Sequence, residues 1–424
     1  MEVKESILNG LKLKKLTGPA FRGAIAGFYS ALSDAGKRRV NREIALSVIK
    51  TCTVSERENR ARPVDASNVK VLAVNHAGPL DVTIEWMTSP DKTLELSGCR
   101  IDPGGDQINV SKVFSHFDEK IALVALAGKK GDIITRAWEN GFLNPNIVTS
   151  LIRSGDEGTP AAIYNVIDGE TLPGMFGFEE EPRTEILEDI DTEVLSSLAI
   201  MSKDGSDNIW MVLSAGGPIR YDRKLACYAS LVKRVKKEYP GRVKLLIDFK
   251  FMSRTEEAMS VLEIPRDKPQ DIIKPNLEEF LEIIVSSGLA GSGLPPRNAV
   301  TEKDISSYAI KLRDKYNLLG VLVSMDRSGL MLVMSDRIIR EKGIKIEQVS
   351  PTGAGDALKA GFLYALSNGR SFEEAVHTGN LFGAATASME GTQTVTPESL
   401  SATEALARAQ YTRPVIEFRT PENR

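Results

Sequence analysis

Short apolar runs rich in β-branched residues recur along this chain, and segments with helical periodicity separate them. The clearest runs occupy residues 69–74, 209–213, 243–247 and 320–323. Apolar runs of about four to eight residues are typical of strands that are buried on both faces. Their alternation with helices favours a mostly parallel sheet covered by helices. The chain is therefore predicted to adopt an α/β fold.

Asn75, Asp248 and Ser324 each come at or just after the end of one of the apolar runs. In an open parallel sheet, ligands bind beyond the carboxyl ends of the strands. We therefore expect these three residues to lie at the edge of the sheet that carries the functional site. Residues 330–334 form a further apolar run close behind residues 320–323, which predicts a hairpin between the two.

The composition limits the class of protein. With 424 residues, of which 42% are apolar and 26% charged, the chain is long enough for one large globular domain plus an extension. No apolar run approaches the ~20 residues of a membrane-spanning helix. The three cysteines, Cys52, Cys99 and Cys227, are far apart and follow no metal-binding spacing. This argues against a disulfide framework or a zinc site and fits a reducing cytoplasm.

The first 70 residues differ in charge from the rest of the chain. They hold 14 Lys and Arg against 7 Asp and Glu, whereas the whole chain has a net charge of −3. Apolar residues at helical spacing, followed by a polar linker, predict a helical basic extension over residues 1–66. Because aromatic residues do not interleave the basic ones, a solvated helix face is favoured over nucleic-acid binding. We place the main domain at residues 67–400 and a C-terminal tail at 401–424.

Residues 350–356 read Ser-Pro-Thr-Gly-Ala-Gly-Asp and are followed by good helix formers. A loop of small residues at a helix N-terminus presents free N–H groups to an anion. Gly353, Ala354 and Gly355 are thus predicted to cradle a phosphate, with Asp356 as the general base beside it. The alternative is a tight turn in which Asp356 only caps the helix. No Gly-x-x-x-x-Gly-Lys-Ser/Thr segment occurs, which excludes a P-loop mechanism.

Together with this motif, four further segments resemble, in order, the signatures of the PfkB (ribokinase-like) carbohydrate kinases. The resemblance covers roughly residues 68–400 and is strongest to the branch of 1-phosphofructokinase and tagatose-6-phosphate kinase. It implies a ribokinase-like three-layer sandwich with a mostly parallel central sheet. It also implies a small β lid, formed by about residues 80–101 and 160–180, and a homodimer through that lid. The matching segments are Val-Asn-His-Ala-Gly-Pro-Leu-Asp-Val-Thr at 74–83, Asp-Pro-Gly-Gly-Asp-Gln-Ile-Asn-Val at 102–110, Lys-Pro-Asn-Leu-Glu-Glu at 274–279, residues 324–329, and Thr-Gly-Ala-Gly-Asp at 352–356.

The resemblance implies ATP-dependent phosphoryl transfer, assisted by Mg²⁺, to a hydroxyl of a sugar or sugar phosphate. The alternative for Asn276 and Glu279 is a helix capping box, and small residues over 379–387 are more typical of helix packing than of a base pocket. By matching position, the resemblance implies that Asp81, Gly104, Gly105 and Asn109 bind the acceptor, that Asn276, Ser324, Gly329, Gly383 and Ala387 bind the nucleotide, and that Glu279 holds Mg²⁺ through water.

Three places depart from the pattern of the phosphosugar kinases. Asp106 stands where they have Lys or Gly, Pro160 stands where they have Arg, and Ser-Ala-Gly-Gly-Pro at 214–218 replaces Ser-Gly-Ser-Leu-Pro. A carboxylate repels a substrate phosphate, and proline has no N–H to donate to one. We expect Asp106 to face the acceptor pocket. Two alternatives stay open, namely a kinase for an unphosphorylated sugar, polyol or nucleoside, and a non-catalytic ligand-binding relative.

Overall fold

The computed structural model describes the chain in segments. The predicted helical extension over residues 1–66 and its linker lie outside the described residues, as does His76. No helix in the described part of the chain is long and apolar enough to cross a membrane. The described residues are 69–75, 80–88, 94–127, 146–153, 161–167, 170–171, 176–177, 184–203, 208–215, 222–249, 255–291, 293–295, 299–389, 395–410 and 414–419.

The described residues form two sheets. The strands are β1 (Val71–Asn75), β2 (Leu80–Thr88), β3 (Leu94–Pro103), β4 (Ile121–Ala127), β5 (Ile147–Arg153), β6 (Ala161–Ile167), β7 (Glu170–Thr171), β8 (Phe176–Gly177), β9 (Ile209–Ala215), β10 (Val243–Phe249), β11 (Ile272–Lys274), β12 (Gly320–Ser324), β13 (Leu330–Met334), β14 (Arg337–Glu341) and β15 (Val415–Phe418). The main sheet has the order β15-β14-β13-β12-β11-β10-β9-β1-β4-β5.

The main sheet is mostly parallel, as predicted. Seven neighbouring strands of this sheet pair in parallel, in the order β5, β4, β1, β9, β10, β11 and β12. Beyond β12, the strands β13, β14 and β15 extend the sheet antiparallel. β12 and β13 form the predicted hairpin, in which Ser324 lies opposite Leu330. The helices are α1 (Asp106–His116), α2 (Thr184–Met201), α3 (Asp222–Glu238), α4 (Thr255–Leu262), α5 (Leu277–Ser286), α6 (Glu302–Lys315), α7 (Ala354–Ser367), α8 (Phe372–Ala387) and α9 (Pro397–Ala409).

Apolar side chains on the two faces of the main sheet form two separate cores. Leu72 and Val74 of β1 pack into one core, and Val71 and Ala73 pack into the other. Because successive strand residues point to opposite faces, a fully buried strand requires cover on both sides. Helices α2 to α6 contribute to the first core, and α1, α7, α8 and α9 contribute to the second. The predicted three-layer arrangement is thus confirmed.

The second sheet contains the strands that were assigned to a β lid. Its order is β3-β2-β6-β7, with β8 paired to β6. β2 pairs antiparallel with β3 and parallel with β6, and the β2–β3 register shifts between Glu85 and Trp86. The two chain segments, around residues 80–103 and 161–177, therefore meet in one small sheet although β4 and β5 of the main sheet lie between them in sequence.

The expected end of the main domain at residue 400 needs correction. That position falls inside α9, which packs on α8. β15 follows α9 and pairs antiparallel with β14, so that Ile339 lies opposite Ile416. The described residues beyond 400 therefore belong to the main sheet and its helical layer, because a strand at a sheet edge offers backbone partners that sequence patterns do not reveal.

Asp271, at the amino end of β11, forms a buried ion network away from the carboxyl edge. Its Oδ2 lies 2.8 Å from Arg266 Nε, and its Oδ1 pairs with Lys236 Nζ and accepts the Leu245 N–H at 3.1 Å. Burial lowers the pKa of Lys236, and the carboxylate of Asp271 opposes that change. The network ties β10, β11 and α3 together at the end of the sheet opposite the predicted site.

Asp191 in α2 is predicted to make the protein less stable as the pH rises. Its side chain is buried, and its Oδ1 has no hydrogen-bond partner among the described residues. Burial raises the pKa of this carboxyl to about 6, against 3.8 for the free group. The folded state therefore binds the proton more tightly, and stability present at low pH is lost as the pH rises from about 4 to about 6.

Asp191→Asn removes this loss and should stabilise the protein at pH 7 by on the order of 1 kcal/mol, with a smaller gain at pH 4. Thermal unfolding of both proteins at the two pH values measures the difference. A gain that is the same at pH 4 and pH 7 would contradict the assignment.

Candidate active site

The loop before α7 ends in a glycine with a left-handed backbone. Gly353 is the N-cap of α7, with φ 81° and ψ −9°, a conformation that costs other residues about 1–2 kcal/mol. The first N–H groups of the helix have no intrahelical partners. One of the three predicted cradle donors, the Ala354 N–H, donates to Pro351 O at 3.2 Å. A Cβ on Gly355 would lie 3.4 Å from Lys274 Nζ, so this glycine leaves room beside the ammonium group.

Asp356 lies in the first turn of α7 and is only 5% exposed. Its Oδ2 accepts a hydrogen bond from Asn109 Nδ2 at 2.9 Å, and its Oδ1 lies 2.9 Å from Lys359 Nζ. Asn109 belongs to α1, which packs against α7. The structure thus joins an expected acceptor-binding residue to the expected base, and the two contacts fix the plane of the carboxylate.

A chain of buried charges continues from Asp356 towards the loop. Lys359 Nζ lies 2.6 Å from Asp248 Oδ2, and Lys274 Nζ lies 3.2 Å from Asp248 Oδ1. All four side chains are buried. Two carboxylates alternate with two ammonium groups, so their formal charges sum to zero, which offsets part of the cost of burying ions. Asp248 lies near the end of β10 and Lys274 ends β11, so the network occupies the predicted edge of the sheet.

The N-terminus of α1 carries a second polar network. Gly105 is its N-cap, with φ 93°, and Asp106 is the first helical residue. Ser214, near the end of β9, donates from Oγ to Asp106 Oδ2 at 2.9 Å and accepts from Gln107 Nε2 at 2.6 Å. Because the Ser214 hydroxyl has one proton, this order of donation sets the orientation of the Gln107 amide. Gln107 Oε1 and Asn109 Oδ1 are buried without hydrogen-bond partners in the described part of the chain.

Helix α5 begins with a capping box. Asn276 Oδ1 accepts the Glu279 N–H at 2.9 Å, and Glu279 Oε2 accepts the Asn276 N–H at 2.7 Å. This is the structural alternative that the sequence left open for the pair. Asn276 also forms a parallel bridge with Ser324, so two expected nucleotide-binding residues lie side by side.

A cleft of about 710 Å³ opens next to the α7 loop. Its walls include Leu277 of α5, the 3₁₀ turn Asp326–Ser328 and Pro351. Its volume lies within the range of ordinary ligand pockets, roughly 300–1,000 Å³. Gly329 follows the turn with φ 101°, and a Cβ there would overlap the carbonyl oxygen of Glu341. Glycine is therefore required at this position by the close approach of two backbone segments.

Small residues of α8 pack against α7 and its loop. A Cβ on Gly383 would lie 3.3 Å from Ala354 O. Ala387 O accepts the N–H groups of Val349 and Ser350 at 2.9 and 3.2 Å. These contacts agree with the helix-packing alternative, and they support the loop from behind; the nucleotide role of Gly383 and Ala387 stays a prediction.

Comparison with known proteins shows which family this part of the chain resembles. Residues 252–399, which include α5, the 3₁₀ turn and the α7 loop, match the model of the pfkB family carbohydrate kinases. Over these residues the chain is similar to the pfkB-family carbohydrate kinases. The matched range contains Glu279 and Asp356, whereas Asp81, Gly104 and Asn109 precede it.

Curated relatives of this kinase extend the similarity over most of the chain. A ribokinase from Haemophilus influenzae is 25% identical over 337 residues, which are 77% of this chain and 95% of that protein. A 1-phosphofructokinase from Rhodobacter capsulatus is 23% identical over 338 residues, which are 79% of this chain and 95% of that protein. Both alignments therefore extend well beyond the matched family range.

Solved structures show the same ribokinase-like fold. A mutant of phosphofructokinase-2 from Escherichia coli superposes with a TM-score of 0.63 at 17% identity, covering 80% of this chain and all of that one. Ribokinase from Thermotoga maritima superposes with a TM-score of 0.55 at 20% identity, covering 79% and 99%. At these identities the superpositions establish the architecture of the kinase domain.

Two expected acceptor residues of the kinase lie outside these networks. Asp81 is in β2 of the second sheet, opposite Asp102 in β3 and Ala162 in β6. Gly104 is buried just before the N-cap of α1. Their acceptor-binding role stays a prediction; Gly104 lies between β3 and α1, and Asp81 lies opposite Asp102 near the end of β3.

Sequence reasoning missed several residues that the kinase fold brings to the site. Lys359 is the clearest example, because a lysine within the apolar run of α7 indicates a buried charge that needs a partner. Gln107 and Ser214 gave no such signal, since their contact joins segments 107 residues apart. Lys274 stood within a recognised segment, but only the structure places it beside Gly355.

Gly353→Ala in the kinase should lose both stability and nucleotide binding, whereas Gly369→Ala should lose stability alone. Both glycines have positive φ, 81° and 73°, and a Cβ meets only ordinary contact or open space at either. We expect each variant to lose about 1 kcal/mol. Thermal unfolding and ATP titration measure the two effects. Equal ATP affinity in the two variants would contradict a role of the Gly353 loop in anion binding.

Proposed function

We propose that the protein transfers the γ-phosphoryl group of ATP to a hydroxyl of a sugar or sugar phosphate. The observation that carries the proposal is the buried carboxylate of Asp356, oriented by Asn109 and Lys359 at the N-terminus of α7. In the reaction, the acceptor oxygen attacks the γ-phosphorus and the bond to the bridging oxygen of ADP breaks. The hydroxyl proton passes to Asp356, and the helix N-terminus stabilises the negative charge of the phosphoryl group. The relatives named ribokinase and 1-phosphofructokinase support this activity.

The cleft beside the α7 loop is the proposed ATP site. It lies between α5 and the 3₁₀ turn, with Pro351 at the end nearest the loop. A nucleotide placed there would point its phosphates towards Gly353 and Lys274. The cationic Lys274 and the helix N-terminus would both attract those phosphates. This placement agrees with the predicted nucleotide roles of Asn276, Ser324 and Gly329.

The residues at α5 fit a hydrated Mg²⁺. The side-chain oxygens that form the capping box are already hydrogen-bonded, and no group of three or more His, Cys, Asp or Glu in the described residues could cage an ion. Mg²⁺ retains several waters in such sites. Glu279 and Asn276 would therefore hold it through water, and the ion would neutralise charge on the phosphates. The homodimer through the second sheet and the cytoplasmic location stay predictions.

Asp356→Asn should lower kcat by at least about 10²-fold, because the amide cannot accept the hydroxyl proton. The side chain keeps its shape, so ATP affinity should stay within about twofold of the natural protein. ADP release over a panel of sugars, sugar phosphates and nucleosides identifies the acceptor and measures kcat. Near-normal turnover in folded Asp356→Asn would refute the assignment of the base.

Glu279→Gln should raise the Mg²⁺ concentration needed for half-maximal rate without lowering the melting temperature. Glutamine at this position still completes a capping box, whereas it removes the charge that attracts the ion. The rate is measured over a Mg²⁺ titration at fixed ATP. An unchanged Mg²⁺ response would assign Glu279 to helix capping alone.

A kinase for an unphosphorylated acceptor is a second candidate, favoured by the network at α1. The N-terminus of that helix would attract a substrate phosphate, but Asp106 already occupies its first turn and is held by Ser214. The unpartnered Gln107 Oε1 and Asn109 Oδ1 only accept hydrogen bonds. Acceptor hydroxyls could supply the missing donors, whereas a phosphate dianion could not.

Asp106→Lys tests which acceptor is used. A carboxylate ~5 Å from a phosphate costs about 3 kcal/mol per charge at an effective dielectric of ~20. If an unphosphorylated acceptor is natural, the lysine should lower KM for sugar phosphates by roughly 10–100-fold and change KM for neutral sugars little. Asp106→Asn is the control that removes charge without adding any. If the natural protein already prefers a sugar phosphate and its KM is the same in all three proteins, the second candidate is wrong.

A further inference from the structure

Lys359 is a fully buried lysine one turn after the proposed base. Its side chain is 0% exposed, and its Nζ lies 2.9 Å from Asp356 Oδ1 and 2.6 Å from Asp248 Oδ2. The spacing of three residues along α7 places it on the same helix face as Asp356. Neither the acceptor hydroxyl nor the nucleotide needs this side chain in the reaction as proposed above.

Stability alone does not account for a lysine at this position. The neighbours on α7 that are equally buried are apolar, among them Ala360 and Phe362. Replacing a buried ion pair by well-packed apolar side chains is often neutral or stabilising, because burial removes both charges from water. Burying the ammonium group of Lys359 therefore costs free energy, and the group lies next to the carboxylate that the proposed reaction uses.

The geometry shows what the ammonium group does to Asp356. Oδ1 is held by Lys359 and Oδ2 by Asn109, so the carboxylate is fixed from two sides. Lys359 is in turn held by Asp248, which lies on β10 of the main sheet and also contacts Lys274. The orientation of Asp356 is therefore set by the sheet and not only by its own helix.

We propose that Lys359 is a positioning residue that locks the carboxylate of Asp356 onto β10 through Asp248, in the orientation that accepts the hydroxyl proton. The inference rests on the proposed kinase function. Lys274, which also contacts Asp248, lies beside Gly355. The proposed base and the proposed anion cradle are therefore connected by one network of buried charges. A misplacement of a reacting group by about 1 Å costs on the order of 10²-fold in rate.

The test compares Lys359→Met with Lys236→Met in the full-length protein. Lys236 is a partly buried lysine that is also paired with a buried aspartate, Asp271, but it lies at the other end of the sheet. Both variants should lower the melting temperature, because each removes a cation from a buried carboxylate. Only Lys359→Met should lower kcat, by roughly 10²-fold, with KM for ATP within about twofold. Lys359→Arg, which keeps the charge, should recover at least part of the lost kcat.

The outcomes separate this inference from the proposed function. No ADP release by the natural protein with any acceptor would refute the kinase function itself. An active natural protein whose kcat survives Lys359→Met, or falls equally in Lys236→Met, would refute only the positioning role.

If Lys359→Met does not fold, Lys359→Met combined with Asp248→Asn removes one buried charge of each sign. That double variant should fold, and it should show the same loss of kcat. A normal kcat in the double variant would overturn the proposal.

Discussion

Burial of charge at the carboxyl edge of the main sheet is the constraint on which the site depends. An isolated carboxylate in a protein interior costs several kcal/mol, and only a cation with good geometry offsets that cost. Asp356, Lys359, Asp248 and Lys274 compensate one another, and they come from α7, β10 and β11. Asp356 and Lys359 already face each other on α7, but Asp248 and Lys274 gain their partners only when β10, β11 and α7 come together, so the packing of the fold completes the site.

Close contact between α7 and α8 fixes the position of this network. A Cβ on Gly361 would lie 2.7 Å from Phe382 Cγ, so only glycine allows the helices to approach as they do. Ala387 at the end of α8 holds the loop before Gly353 through two backbone hydrogen bonds. The small residues of α7 and α8 therefore determine the position of the N-terminus of α7.

The N-terminus of α1, on the proposed acceptor side, differs in its polar groups from the N-terminus of α7. Both helices carry an aspartate in the first turn, Asp356 in α7 and Asp106 in α1. Asp356 is paired with the cation of Lys359, whereas Asp106 accepts a hydrogen bond from the neutral hydroxyl of Ser214. Ser214 links that carboxylate to Gln107, and the hydrogen-bond acceptors that remain call for donors. One helix end thus suits phosphate, and the other suits hydroxyl groups.

The sequence by itself determined the α/β class and the hairpin of β12 and β13, and its resemblance to the PfkB kinases implied the small second sheet. These depend on local patterns, because apolar periodicity and small residues report what one segment does. Only the tertiary structure decided that Asn109 meets Asp356, that Lys359 bridges to Asp248, and that β15 completes the main sheet. The physical reason is that partners of buried polar groups are chosen by the packing of elements distant in sequence, and no local pattern carries that information.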